Sequence, residues 1–504
     1  MRAAIAVVLL VVLALACTKQ VKRVVAPSAA GVDRESAFIK AHMRDGGVYI
    51  LGHWRVDPSG LYLVGDGTQL DASRVEVKRG WFTVPVADVA LFESNVVQNS
   101  NSIIGMTLVT GASAALTVIC LTHTKSCFGS CPTFYAPDGD RLVLQAEGFS
   151  DSVAPSLERR DIDALFRTRP RGRDLELRLT NEALETHVIK EANLLAVPAP
   201  PGGRVLATEQ GTFWQARALA PPRACAAPEG DCLAAVRAVD GSERFSLADE
   251  HDLAARETIE LAFPPRPGPL GIALGARQTL LSTYVLYQGL AFMGRSAGTW
   301  LAALETGGRQ ALAGRRSVVQ ALGGIEVLAK NATGDWIVVG EVNETGPLAE
   351  DVHLVPLPPG ARAERIRLRM ARGHWRLDLV ALAGLGARVE PVRLTPQVRQ
   401  ARLSREFAPE RTPATGFPMV TLPGDAYLLG YQLPQHPEGY ELFLESRGYY
   451  LEWMRREWLA DEDPLRAAQL VVDPAAALRR LAPDFKRHEA GMEEAFWRSR
   501  YAGR

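Results

Sequence analysis

Much of the chain alternates apolar and polar residues in short runs. Asp174-Leu-Glu-Leu-Arg-Leu-Thr180 is the clearest, with leucine at every second position. A period of two sends successive side chains to opposite faces of a strand, one buried and one wet. Asp57-Pro-Ser-Gly60, Gly65-Asp-Gly67 and Pro137-Asp-Gly-Asp140 break the runs as turns. The pattern predicts a mainly β, multi-domain protein with helical insertions.

Residues 35–99 are expected to form a small β barrel or roll. Its strands are Gly47–Leu51, Leu61–Val64, Arg74–Lys78 and Trp81–Val86, the last confined by Pro85 to an edge or a terminus. A central β domain spans 123–265, opened by a hairpin of Thr133–Ala136 and Arg141–Gln145. Asp174–Thr180 follows, with Glu185–Lys190 and Ala192–Val197 as its expected partners. The period changes in 269–312. Leu280, Tyr284, Leu286, Tyr287, Leu290 and Phe292, then Trp300, Leu301 and Leu304, recur at helical spacing, predicting two helices joined near Gly294. Alternation returns in 318–394 as a β-sandwich. Residues 425–504 hold further strand, then a helical tail from Arg447 with helix starts at Asp463-Pro464 and Asp473-Pro474. The aromatic end with Phe496, Trp497 and Tyr501 is expected to dock on the protein itself.

The N-terminus sets the compartment. Met1-Arg2 precedes an apolar run from Ala3 to Ala16 that is too short to span a bilayer, the pattern of a secretory signal over residues 1–17. Ala14-Leu15-Ala16-Cys17 resembles a bacterial lipobox, which implies that Cys17 becomes the lipidated first residue. Thr18 rather than aspartate follows it, which by the same resemblance implies the outer membrane of a two-membrane bacterium. Residues 18–34 carry Lys19, Lys22 and Arg23 and then small residues, and are expected to be a tether. Ile103 to Leu121 (103–121) is an apolar run of 19 residues. A chain already lipidated at Cys17 has less use for a span, so a membrane-contacting or interior helix is expected here.

Five further cysteines lie in a compartment that favours pairing. Cys225 and Cys232 enclose a turn sequence, so a bridge between them is expected. Cys127 and Cys131 would lie about 13 Å apart in a strand, and a bridge needs less than about 7 Å. Gly129-Ser130 supplies the necessary turn, so a disulfide-closed loop is the structural expectation. Cys120 is an alternative partner for either. The competing reading is a copper or redox site of Cys127, Cys131 and His123. A CxxxC pair followed by Pro132 resembles copper-delivery proteins of the thioredoxin type, but their βαβ pattern is absent.

Cys127-Phe-Gly-Ser-Cys131-Pro-Thr-Phe-Tyr135, the hairpin after it, and Leu175–Ile189 resemble a group of large uncharacterised bacterial lipoproteins. Trp375–Val380 and Glu445–Trp453 fit the same group. The likeness runs from about residue 35 to 455 and brings no activity with it. Asp335-Trp336, Gly340, Trp375 and Asp378 resemble the core strands of a galactose-binding-type jelly roll, again without naming a ligand residue.

Lys+Arg and Asp+Glu both number 57, so nothing favours nucleic acid. Asp138, Asp140, Glu147 and Asp151 lack calcium-loop spacing and are assigned turn and surface duty, and Asp249–Asp252 a solvated face. Gly52-His-Trp-Arg-Val-Asp57 nearly recurs as Gly373-His-Trp-Arg-Leu-Asp378, but the flanks differ. Gly294-Arg-Ser-Ala-Gly298 has the spacing of a nucleophile elbow but sits between two expected helices rather than after a strand, and there is no phosphate loop or His-Glu-x-x-His, so no catalytic residue and no cofactor is named. The expected function is that of an envelope lipoprotein binding a protein or glycan partner. A redox or copper-handling protein and a glycan-acting enzyme are the alternatives. The anchor is directly testable. Globomycin should block processing, and radiolabelled palmitate should appear on the parent and not on Cys17→Ala; unchanged processing with no label would rule the anchor out.

Overall fold

The computed structural model describes residues 19–25, 32, 34, 36, 38–43, 45–71, 76–98, 131–149, 152, 158–170, 172–294, 297, 321–343, 346–404, 412–436, 439–453 and 461–500. The protein is mainly β and divides into two compact units. The first takes the described residues among 1–117, 288–304 and 453–472; the second takes the remainder.

Unit 1 contains one six-stranded antiparallel sheet. Phe38–Met43, Val48–Val56, Tyr62–Leu70 and Glu76–Pro85 follow one another as neighbours. A 3-10 turn, Val86–Asp88, leads into Val89–Gln98, which returns to pair with Phe38–Met43. Such a sheet curls around its own core as a small barrel. That core is Ile39, Leu51, Trp54, Leu63, Phe82, Val84 and Phe92. A bulge between Gly52 and Arg55 shifts the register so that Trp54 turns inward, its indole N–H donating to the Ser36 carbonyl at 2.8 Å. Pro85 ends an edge strand, as its missing N–H requires. Lys19–Val25, expected to be tether, is a strand on the opposite edge, paired with Val89–Gln98.

Unit 2 stacks four sheets with three apolar cores between them. The first sheet runs Gln397–Arg402, Ala426–Gln432, Asp174–Thr180, Thr133–Asp138, Arg141–Glu147. The second is Val392–Leu394, Glu185–Pro198, Tyr440–Glu452, Arg159–Ala164. The third is Phe213–Ala220, Arg204–Ala207, Asp351–Pro356, Leu270–Gln278, Trp375–Val389, Arg244–Phe245. The fourth contains Gly230–Asp231, Ala224–Ala227, Arg256–Ala262, Arg362–Ala371, Ile325–Lys330 and Trp336–Val342. Outer-layer strands such as Asp174–Thr180 and Arg256–Ala262 alternate buried with exposed. The long central strands of the two inner sheets bury residues on both faces. In Glu185–Pro198, Leu194 and Ala196 enter the core toward the first sheet, while Leu195 and Val197 enter the core toward the third.

Several expected boundaries give way to this layering. The central β domain 123–265 and the sandwich 318–394 are not separate, because the third and fourth sheets interleave strands from both. Alternation reports a strand but not its partner, and antiparallel pairing is free to be long-range. Asp174–Thr180 pairs with Ala426–Gln432 and Thr133–Asp138 rather than with Glu185–Pro198. Leu270–Gln278, inside the expected helical segment, is an inner strand. Helix Leu281–Met293 follows as expected and stops at Gly294, whose φ is +50°. The second helix expected there, and the run 103–121, lie outside the described residues. No helix among the described residues is long and apolar enough to cross a membrane. The helical tail begins later than expected, because the inner strand Tyr440–Glu452 claims Arg447–Glu452. Asp463 and Asp473 cap helices Pro464–Val472 and Pro474–Ser499 through backbone N–H groups at 3.0–3.1 Å. In the latter, Leu478, Leu481 and Phe485 are buried, and Glu489 and Lys486 bond the Ala248 backbone.

Cys225 and Cys232 form the expected disulfide in the fourth sheet, with Cα atoms 5.1 Å apart. Replacing both by alanine should lower stability by about 2–3 kcal/mol on the chain-entropy model of so short a loop. Urea unfolding of parent and variant measures this, and coincident midpoints would contradict it.

Candidate functional site

A cavity of about 490 Å³ opens in unit 2, lined by four arginines, Arg167, Arg169, Arg204 and Arg237, with Asp138, Asp240 and an apolar wall. The turn after strand Arg159–Ala164 supplies the first two. Buried Gln145 holds that turn, donating to Thr168 Oγ1 at 2.9 Å and accepting the Arg167 N–H at 3.1 Å. Arg167 is then bound to Asp138, with Nε 2.9 Å from Oδ2. Arg204, from the inner strand Arg204–Ala207, pairs through two N–H groups with the buried Glu441. It also donates to the Phe166 carbonyl at 2.9 Å and lies 3.7 Å from the centre of the Phe166 ring.

The other two arginines are less committed. Arg169 donates one nitrogen to the carbonyls of Phe166 and Thr168, at 3.0 and 2.8 Å, and lies 3.9 Å from Glu441. Burial lowers its pKa, Glu441 opposes that, and Arg204 adds to it. Arg237 is exposed and makes no ion pair among the described residues. It follows the 3-10 turn Leu233–Val236, whose N-cap is Cys232, so the disulfide fixes the segment that delivers Arg237.

Asp378 holds the rim. Strand Trp375–Val389 pairs Leu377 with Ala276 and Leu379 with Gly275, which leaves Asp378 as the extra residue of a bulge. Its side chain is nearly inaccessible, and Oδ2 accepts the N–H groups of Asp240 at 2.9 Å and Gly241 at 2.7 Å. Gly241 takes a φ of +84°, which glycine adopts without strain. The loop Ala238–Asp240 is thereby fixed beside Leu379 and Ala381 in the wall of the cavity. The half-buried Glu350 turns its carboxyl to Asp378 as a hydrogen-bond partner. Burial first, and then the Asp378 carboxylate, push the Glu350 carboxyl up to about 10. Burial also raises Asp378, while the Gly241 N–H and the Glu350 carboxyl act to lower it. Glu350 therefore carries the proton at neutral pH and donates it to Asp378. Gly275 leaves room for this, since a Cβ there would sit 2.4 Å from Glu350 Oε1. Carboxyls in direct contact leave no room for a scissile glycosidic bond, which needs about 5 Å or more between them. The pair is a lock on the rim.

A second buried cluster is closed to solvent. His187 Nε2 lies 2.8 Å from Glu185 Oε1, both side chains fully buried, and burial pushes the imidazole down to about 3 despite Asp425 and Glu452. Unit 1 offers an open feature instead, with Phe38 and Trp81 each 56 % exposed. Register sets them in one row, Phe38 opposite Gly52, Gly52 opposite Asp66, and Asp66 opposite Trp81. His53 lies 3.0 Å from Asp66 beside that row.

No known family model matches the chain, and no curated protein or solved structure shows significant similarity to it.

Of the residues expected from sequence to carry chemistry, Cys17, Cys120, His123 and Cys127 lie outside the described residues. Cys131 is buried directly before strand Thr133–Asp138, and no cluster of three metal-binding side chains occurs among the described residues. Glu147 is buried rather than on the surface, accepting the N–H groups of Leu348 and Ala349 at 2.7 and 2.8 Å. The similar hexapeptides serve different ends. Asp57 caps a surface turn, whereas Asp378 holds the cavity rim. Sequence reasoning missed all four cavity arginines and Glu350. Two signals were available: the alternating arginines of 167–173, and one carboxylate inside the apolar run Leu377-Asp-Leu-Val-Ala381.

Glu350 makes stability depend on pH. Its folded pKa lies above the unfolded value, so its contribution is full below about pH 4.5 and is lost as pH rises toward 10. Glu350→Gln should remove that loss, matching the parent near pH 4.5 and gaining stability relative to it by about 1 kcal/mol per pH unit above. Denaturant titrations at pH 4.5, 7 and 9 measure the difference; one independent of pH would contradict the assignment.

Proposed function

We propose that the protein is a cell-envelope lipoprotein, anchored through Cys17, that binds a glycan partner without transforming it. The observation that carries this is the cavity in unit 2. Its volume lies within the range of small-ligand sites, roughly 300–1,000 Å³. Its lining is arginine, aspartate and apolar side chains, Phe166 among them, which positions a ligand but pairs no nucleophile with a base. A concave site of this size suits a sugar residue better than the broad contact of a protein interface. The aromatic row of unit 1 adds a second surface on which sugar rings stack. Signal, lipobox and the likeness of Cys127–Tyr135 to bacterial lipoproteins support the envelope location. Crosslinking in native envelopes tests the reading, with a photoreactive residue placed at Ala238 on the cavity rim. A discrete glycan adduct is expected, absent when the same probe replaces exposed Arg223 outside the cavity. A protein adduct alone, no specific adduct, or hydrolysis of glycan by the purified lipoprotein would overturn it.

A further inference from the structure

Resting on the glycan-binding reading, we infer that the cavity selects an acidic sugar, with its carboxylate on Arg169 and Arg237 and its hydroxyls on Asp240. The count of N–H groups points to this division. Arg167 commits Nε and Nη2 to Asp138, and Arg204 commits Nε and Nη2 to Glu441 and Phe166. Both are neutralised and held, so they shape the floor more than they attract a ligand. Among the described residues Arg169 uses only Nη1, leaving Nε and Nη2. Arg237 has all five donors unclaimed among the described residues. Two guanidinium groups with free donors on one cavity are matched to a carboxylate, which accepts paired N–H bonds in a plane.

Asp240 decides what else the ligand must carry. Its Oδ1 accepts the Ser242 N–H at 2.9 Å, and Oδ2 has no partner among the described residues. Its charge disfavours a compact dianion such as phosphate in the same cavity. It accepts hydroxyl protons readily, so a ligand with both a carboxylate and hydroxyls satisfies all three side chains. The remaining wall, Leu219, Pro221, Val239, Leu379 and Ala381, is apolar and suits the C–H face of a pyranose ring.

The test uses the full lipoprotein in detergent and isothermal titration. The probes are a glucuronate-containing oligosaccharide, the same oligosaccharide with its carboxyl reduced to the alcohol, and inorganic phosphate. The acidic oligosaccharide should bind, and carboxyl reduction should weaken it roughly tenfold or more, as losing a charge-assisted hydrogen-bonded pair does. Arg237→Gln should weaken it by a similar factor, while Arg223→Gln leaves it unchanged. Because Arg237 is exposed, its variant should keep the parent's unfolding midpoint, so the loss reads as binding. Phosphate should not compete. Equal binding of acidic and reduced forms would overturn acidic selection while leaving glycan binding intact. Equal competition by phosphate would make this a simple anion site. Binding of neither oligosaccharide would end both readings.

Discussion

The constraint on which unit 2 depends is the burial of strand Trp375–Val389 on both faces. Trp375, Leu377, Val380 and Leu382 enter the core toward the fourth sheet, and Leu379, Ala381 and Ala383 the core toward the second. The step from Leu377 to Val380 is out of phase, and Asp378 is the residue that takes it up. A carboxylate at this depth must find hydrogen-bond donors or stay protonated. It finds two backbone N–H groups in the loop at Asp240 and Gly241, and a protonated Glu350 on its other side. Satisfying one buried charge therefore fixes a surface loop, and that loop is a wall of the cavity. Packing and site are joined by the same bulge.

The outer layers were legible because one face of each strand is wet. Leu175, Leu177 and Leu179 announce their burial two by two. Inner strands carry no such contrast. Leu270–Gln278 is apolar nearly throughout, which made it easy to merge with the helix that follows. Glu185–Pro198 shows the further limit. Its strand character was evident, but its neighbours, Tyr440–Glu452 and Val392–Leu394, lie some two hundred residues away. Periodicity is a local property and pairing is not, so a linear division into domains could not recover four stacked sheets.

The site was less legible for a related reason. Its groups come from a hairpin, a turn, three inner strands and a 3-10 turn, spread from Asp138 to Ala381. None of these residues forms a motif with its chain neighbours. The cysteine pair drew attention because spacing alone gives it meaning, yet only the Cys225–Cys232 bridge falls within the described residues. That bridge turns out to serve the cavity, because Cys232 starts the turn that ends at Arg237. A single charge inside an apolar run, as at Asp378, was the better clue. Such a residue must be satisfied by something distant, and whatever satisfies it is held in place.

Amide hydrogen exchange at Asp240 and Gly241 tests this link most directly. Both residues are exposed, so a loop without the Asp378 contact would exchange them quickly. Slow exchange at both positions in the parent is predicted, together with its loss in Asp378→Ala while amides of the outer strand Ile325–Lys330 keep their protection. Rapid exchange at Asp240 and Gly241 in the parent protein would contradict the account.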